Sequence, residues 1–252
     1  MNNICSIMMV TYNRLELTKQ TLDNLFKVTK YPFRLIVIDN NSEDETLSYL
    51  RYYLSNIKSE YFIDHKIIPL QKNVGIAKGR NVALLNVDQN DKYMATIDND
   101  VILPDNWLNN CIAVMEADPR YGMVGVNFEG TSFEEVKVKD MIVQHKKEGN
   151  LGTACAVFPM ILHKMIGFFN HLDYGLYGLE DSDFGFRARV AGFQLGYIKT
   201  NGTHLGVGQH DQGEYRKFKT AEHNKYLKVF YNNCRAYANK TKQIKINFNY
   251  EI

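Results

Sequence analysis

Cysteine is sparse and scattered in this chain. Cys5, Cys111, Cys155 and Cys234 form no CxxC pair, which fits neither a zinc knuckle nor a disulfide scaffold, so buried free thiols are expected. No charge of one sign dominates, since 30 Lys and Arg face 28 Asp and Glu for a net +2, and nothing global steers the protein onto nucleic acid or a membrane. Long apolar runs are missing too. The longest, Ala154 to Leu162, falls far short of the roughly 18 residues that a membrane helix needs. No basic segment precedes a long apolar run at the N-terminus, and a soluble, cytoplasmic protein is expected. Neither a Walker A loop nor a GxGxxG fingerprint occurs, which sets aside P-loop ATPases and ordinary dinucleotide dehydrogenases. There is no internal repeat and no low-complexity linker.

What is present suits a folded domain. Over 252 residues, 45% hydrophobic and 23% charged side chains are ordinary values for a globular protein, and the length fits one α/β domain with an elaborated C-terminal part. Short β-branched runs alternate with segments of helical period, the punctuation of a βαβα chain. Strands are predicted over Ile4 to Val10, Arg34 to Ile38, Lys66 to Leu70, Tyr93 to Ile97, Met123 to Asn127, Leu151 to Phe158 and Phe193 to Ile198. Helices are predicted over Leu15 to Val28, Glu43 to Ile57, Gly75 to Val87, Trp107 to Ala117, Pro159 to Ile166 and Glu180 to Val190. Thr131 to Asn150 is polar, charged and without period, and reads as a surface excursion or mobile loop. After a glycine-rich stretch, an amphipathic helix carries Tyr215, Phe218, Tyr226, Phe230, Cys234 and Tyr237 near helical spacing.

Asp98-Asn99-Asp100 closes a strand with two carboxylates on one side of extended chain. In open α/β sheets the ligand crevice lies outside the strands' C-terminal ends, and such a pair can grip a hard cation, although a solvated Asp/Asn turn has the same composition. Glu180, Asp181 and Asp183 open a helix, and Asp183 with Arg187 reads as an i,i+4 pair. Tyr174, Leu176, Tyr177 and Leu179 crowd the chain just before Glu180 and Asp181, and apolar surroundings raise a carboxyl pKa, as a general base requires. His204 reads as a loop histidine or a third metal ligand, with His210 a weaker rival. Thr11-Tyr12-Asn13-Arg14 and Asn73-Val74-Gly75 through Arg80 each precede a helix, where free N–H groups favour phosphate.

In this order, these features resemble the GT-A glycosyltransferases, most closely the large family 2 of inverting enzymes, over about residues 4 to 210. Four matches carry the resemblance: the opening strand into Thr11-Tyr12-Asn13-Arg14; Val37-Ile38-Asp39-Asn40-Asn41-Ser42; Asn73-Val74-Gly75 leading to Gly79-Arg80-Asn81; and Ile97-Asp98-Asn99-Asp100. Gly178-Leu179-Glu180-Asp181-Ser182-Asp183-Phe184 looks like the family's ED motif, and His204 falls where many members keep a metal-binding histidine. The resemblance implies a Rossmann-like, mixed and mainly parallel sheet flanked by helices, with a C-terminal helical extension. Residues 1–210 would be the transfer domain, with its nucleotide half at about 1–100 and its acceptor half at about 101–210, and residues 211–252 a basic helix and tail.

It also implies roles. Thr11, Tyr12 and Asp39 would hold a nucleotide base, and Asn13, Arg14, Gly75 and Asn99 would also belong to the nucleotide-sugar site. Asn73, Arg80 and Asp98 would touch ribose and diphosphate. Asp100 would ligate Mn²⁺ or Mg²⁺ with His204, Asp181 would be the general base, and Glu180 would orient hydroxyls. The donor would be a nucleoside diphosphate sugar, with uridine favoured, and the acceptor a glycan, glycolipid or other hydroxyl compound. The QxxRW motif of processive synthases is absent, so single-sugar transfer is implied.

Residues Asp211 to Ile252 hold nine Lys and Arg against four Asp and Glu. This leaves a nucleic-acid acceptor or peripheral contact with acidic lipid as rivals to a packed helix with a solvated lysine face. A non-catalytic module of the same fold is opposed by the intact Asp98, Asp100, Glu180, Asp181 and His204. A nucleotidyltransferase is opposed by the lack of a glycine-rich basic loop after the first strand.

Overall fold

The computed structural model describes residues 2–128, 130–147, 151–206 and 213–249. The first hundred residues alternate as the pattern predicts: β1 (Asn2–Thr11), α1 (Leu15–Val28), β2 (Phe33–Asp39), α2 (Thr46–Asn56), β3 (Phe62–Pro69), α3 (Ile76–Leu85) and β4 (Asp91–Asp98). There follow the two-residue β5 (Val101–Ile102), α4 (Trp107–Ala117), β6 (Tyr121–Asn127), β7 (Glu134–Val138), β8 (Met141–His145), β9 (Cys155–Pro159) and α5 (Met160–Ile166). The chain ends with α6 (Glu180–Val190), β10 (Gln194–Asn201), β11 (Thr203–His204) and the long α7 (Gly213–Ala238).

Nine strands form one mixed sheet in the order β3-β2-β1-β4-β9-β6-β10-β8-β7, with β5 and β11 paired separately. All but β8 and β9 run the same way. Period-two alternation splits each central strand between two cores. Cys5, Ile7 and Met9 of β1 face one side with Leu35 and Val37 of β2, covered by α1, α2 and α4. Met8, Ile36 and Ile38 face the other, covered by α3, α5 and α6. Trp107 is fully buried on the first side, and its indole N–H donates to Thr29 Oγ1 at 3.0 Å.

One expectation fails. Residues 134–145 are no loop but a hairpin, β7 and β8, whose second strand pairs with β10 and extends the sheet. The run hides because its outer strand is an edge: Glu134, Glu135 and Lys137 are not buried, and only Val138 and Val143 enter the core. No helix among the described residues is long and apolar enough to cross a membrane.

Along α7, Phe230 and Tyr237 are buried, whereas Phe218 stays 40% exposed, so its C-terminal half carries the packing. Tyr174 and Leu179, which flank the start of α6, share an apolar cluster with Phe230. The chain then returns to the body of the protein. Ile246 bridges Gly167, and Phe248 is buried beside Phe168 and His171.

Candidate active site

Parallel register sets the first residues of the site abreast. Thr11 pairs with Asp39, and Val10 with Asp98, so three strand ends open on one edge. Asp39 is 1% exposed, and its Oδ2 accepts the Ser42 N–H at 3.2 Å while Thr11 Oγ1 lies 3.4 Å from its Oδ1. Tyr12 stands at the rim, 42% exposed. Beyond it, Asn13 and Arg14 are successive left-handed residues at φ 56 and 63. Such backbone is unfavourable for non-glycine residues and persists only where its surroundings hold it. The β2–α2 turn does so: Asn13 N–H donates to Ser42 Oγ at 2.8 Å, Glu43 N–H to Asn13 Oδ1 at 2.8 Å, and Leu15 N–H to Asp44 Oδ2 at 3.2 Å.

Asn73 and Gly75 are placed by Asn40, whose structural role the sequence did not disclose. Asn40 Nδ2 donates to Asn73 Oδ1 at 3.0 Å, and Asn40 Oδ1 accepts the Val74 N–H at 2.9 Å. Gly75 has φ 82, and a Cβ there would lie 2.7 Å from Leu176 Cα, so two backbones cross where no side chain fits.

Arg80 is the hinge pin between the halves of the site. Its Nη2 donates to Asp98 Oδ1 at 2.9 Å and its Nη1 to Glu180 Oε1 at 3.0 Å, while its guanidinium sits over the Phe169 ring. Burial alone would lower the Arg80 pKa, but Asp98, Glu180 and Asp181 raise it above its ordinary value. Burial pushes Glu180 up to about 7, reinforced by Asp181 and opposed by Arg80. Asp181, half-buried, follows in the first turn of α6 and accepts the Ser182 N–H at 2.6 Å.

Asp98, Asp100 and His204 bring their ligand atoms within 4.8 Å of one another. The link between Asp100 and His204 is the β5–β11 ribbon, in which His204 pairs with Val101 and the Leu205 N–H donates to the Asp100 carbonyl at 2.7 Å. His204 Nε2 lies 3.7 Å from Asp100 Oδ1, and Arg14 Nη1 lies 2.8 Å from Asp100 Oδ2. Burial raises the Asp100 pKa, as does Asp98, against His204, Arg14 and Lys219 of α7. Two carboxylates with one imidazole fit a six-coordinate Mn²⁺ or Mg²⁺ that keeps further positions for water and phosphate.

Asn99 is not brought into this cluster. It lies in the turn that follows β4, and its Nδ2 donates to Thr18 Oγ1 of α1 at 2.9 Å. His210 lies outside the described residues. Asp183 and Arg187 form an i,i+4 pair that is wholly buried, Nε to Oδ1 at 2.5 Å, and supports α6 from below. Gly206 also escaped the sequence reading, although a Cβ there would lie 2.1 Å from Asp100 Oδ2.

This sheet, open at a carboxylate edge and closed by a helix that begins Glu-Asp, is the GT-A arrangement. The model of glycosyl transferase family 2 matches residues 6–171, and the chain belongs to that family. An uncharacterized glycosyltransferase of Rickettsia bellii (strain RML369-C) is 25% identical over 157 residues, 62% of this chain and 20% of that protein. The chain thus spans about a fifth of the length of this curated relative.

Among solved structures, the mannosyltransferase PcManGT from Pyrobaculum calidifontis, in complex with GDP-Man and Mn²⁺, aligns with a TM-score of 0.68 at 18% identity, covering 93% of this chain and 68% of its own. S. aureus TarS 1–349 in complex with UDP aligns with a TM-score of 0.60 at 19% identity, covering 78% and 58%. The same fragment with UDP-GlcNAc gives 0.57 at 19% identity, covering 94% and 74%. At these identities the likeness is one of fold.

Proposed function

We propose that the protein is a metal-dependent, inverting glycosyltransferase that moves a single sugar from a nucleoside diphosphate sugar to a hydroxyl acceptor without processivity. A uridine diphosphate sugar is the favoured donor, and the acceptor is a glycan, a glycolipid or another hydroxyl compound. Residues 1–210 are the transfer domain in this reading, 211–252 its C-terminal extension, and the setting is cytoplasmic. One observation carries it: Arg80 ties Asp98, of the Asp98–Asp100–His204 cluster, to Glu180 at the start of α6, so a metal-and-diphosphate subsite and an acceptor subsite share one wall.

The chain's own groups divide the work. Thr11 and Asp39 receive the base, with Asp39 accepting from an imide N–H, and Tyr12 covers it from the rim. Arg80, held between two carboxylates, presents a fixed positive charge beside the diphosphate. Asp100 and His204 hold Mn²⁺ or Mg²⁺, which when bound supplies positive charge to the departing diphosphate. Glu180 is engaged by Arg80 and pushed up to about 7, which suits it to orient a hydroxyl. Asp181 is only half-buried at the helix start, open to an acceptor, and takes the hydroxyl proton there. One base acting from the face opposite the leaving group gives inversion.

Thermal unfolding against nucleoside diphosphates, with Mn²⁺, with Mg²⁺ and with chelator, tests the donor site. Ligand at about a hundred times its Kd stabilises by about 2.7 kcal/mol. A metal-dependent rise with one nucleotide is expected, and Asp181→Asn keeps that rise while transfer is lost. Equal loss of both in the variant removes Asp181 as the base, and no rise with any nucleotide sinks the donor site.

A further inference from the structure

The Arg14–Asp100 ion pair sits where the metal reading needs a cation. Asp100 divides its oxygens, Oδ2 to Arg14 Nη1 at 2.8 Å and Oδ1 toward His204 Nε2 at 3.7 Å. Only a glycine fits at 206, where a Cβ would meet the same Oδ2, and the Leu205 N–H holds the Asp100 backbone carbonyl. The backbone of Asp100 is thereby fixed, and the residue is buried at 4% exposure. Asp98 and Asp100, close enough to share one ion, repel each other when nothing positive lies between them.

Each of these carboxylates is met by its own arginine. Arg80 at Asp98 is 5% exposed and pinned at its other end by Glu180. Arg14 reaches Asp100 from a left-handed surface turn, with its side chain 24% exposed. Of the two guanidiniums, Arg14 is the more open to solvent, with its side chain 24% exposed against 6% for Arg80. Resting on the transfer reading above, we propose that Arg14 is a place-holding cation: it neutralises Asp100 in the metal-free protein, yields to the divalent ion, and is then available to the donor's diphosphate.

The turn that carries Arg14 is clamped by Ser42, Glu43 and Asp44, three to five residues after the base-pocket residue Asp39, whose Oδ2 accepts the Ser42 N–H. Filling the base pocket and exchanging the cation at Asp100 therefore bear on one turn, and nucleotide and metal should each favour the other's binding.

The test is calorimetric titration of the full chain with Mn²⁺, without and with UDP, for the wild type, Arg14→Ala and Arg14→Lys, with Asp100→Ala as the reference for a lost ligand. Without UDP, Arg14→Ala should bind Mn²⁺ at least tenfold more tightly than the wild type. Arg14→Lys, which keeps a cation without the fixed fork, should fall between them and carries the test if the alanine variant does not fold. Added UDP should raise Mn²⁺ affinity by a larger factor in the wild type than in Arg14→Ala. Equal or weaker Mn²⁺ binding by the folded variants overturns the role of Arg14 and leaves the metal site standing. No Mn²⁺ binding by the wild type, even with UDP, overturns the metal site and the proposal together.

Discussion

Glu180 carries the sharpest single-residue consequence. Its carboxyl is pushed up to about 7 from 4.5, so between those values the folded chain holds a proton that the unfolded chain has released. The folded state binds more protons there, and this group's contribution to stability therefore falls as pH rises from about 4.5 to about 7. Gln at this position cannot titrate and can still accept from Arg80. In metal-free protein, Glu180→Gln should thus gain on the wild type as pH rises, by at most about 3 kcal/mol at pH 8, and the two should converge below pH 4.5. Denaturant unfolding at a series of pH values measures the difference. Parallel curves would show that Glu180 titrates normally. At the same scale, the sequence showed Asn99 only as the middle of Asp98-Asn99-Asp100, and its bond to Thr18 depends on where the turn sets it against α1, which no local pattern reveals.

Elements meet at the site through short, unremarkable pieces of chain. The helices α1, α4 and α6 have the bounds that the sequence predicts, α1 and α4 because each lays apolar residues on the sheet and α6 because its acidic first turn marks a helix start. The carboxylate edge was equally legible, since strand ends followed by Asp need only local pattern. What brings His204 to Asp100 was not legible, because β5 and β11 are two residues each and two residues have no period. The β7–β8 hairpin was missed for the converse reason, an edge strand with mostly polar faces. Contact between loops is also invisible in the sequence, and Gly75 shows its force: the β3–α3 loop touches the backbone of Leu176, four residues before Glu180, and the Ile76 N–H donates to the Leu176 carbonyl at 3.1 Å. Gly75→Ala must strain a left-handed backbone or part the two loops, at a cost of about 1–3 kcal/mol. A lower Tm is expected together with a transfer rate that falls more than the folded fraction does. An unchanged rate in the destabilised protein would show that the crossing does not position Glu180.

Across the whole molecule, the residues beyond the family match complete the core. Arg187, fully buried, donates to Asp183 and to the carbonyls of Ile166 at 2.7 Å, Phe168 at 2.9 Å and Ile244 at 3.2 Å. Asp183 in turn accepts the hydroxyls of Tyr174 and Tyr237, each at 3.1 Å. One ion pair thereby joins α5, the chain before the Glu-Asp helix, α7 and the C-terminal tail. Removing one member leaves a buried charge uncompensated, which costs about 3–5 kcal/mol. Arg187→Ala should accordingly lower Tm by about 6–20 °C, at about 2–4 °C per kcal/mol for a chain of this size. Exchanging both members, Asp183→Leu with Arg187→Met, removes the stranded charge, and a buried pair can often be replaced by apolar groups at no loss. Recovery here should still be partial, because the Tyr174 and Tyr237 hydroxyls would lose their shared acceptor at about 1–3 kcal/mol each. Adding Tyr174→Phe and Tyr237→Phe to the double exchange should restore most of the remainder. Thermal unfolding of the four proteins separates these contributions. A double exchange no better than Arg187→Ala would mean that the three carbonyls, rather than the carboxylate, are what Arg187 holds in place.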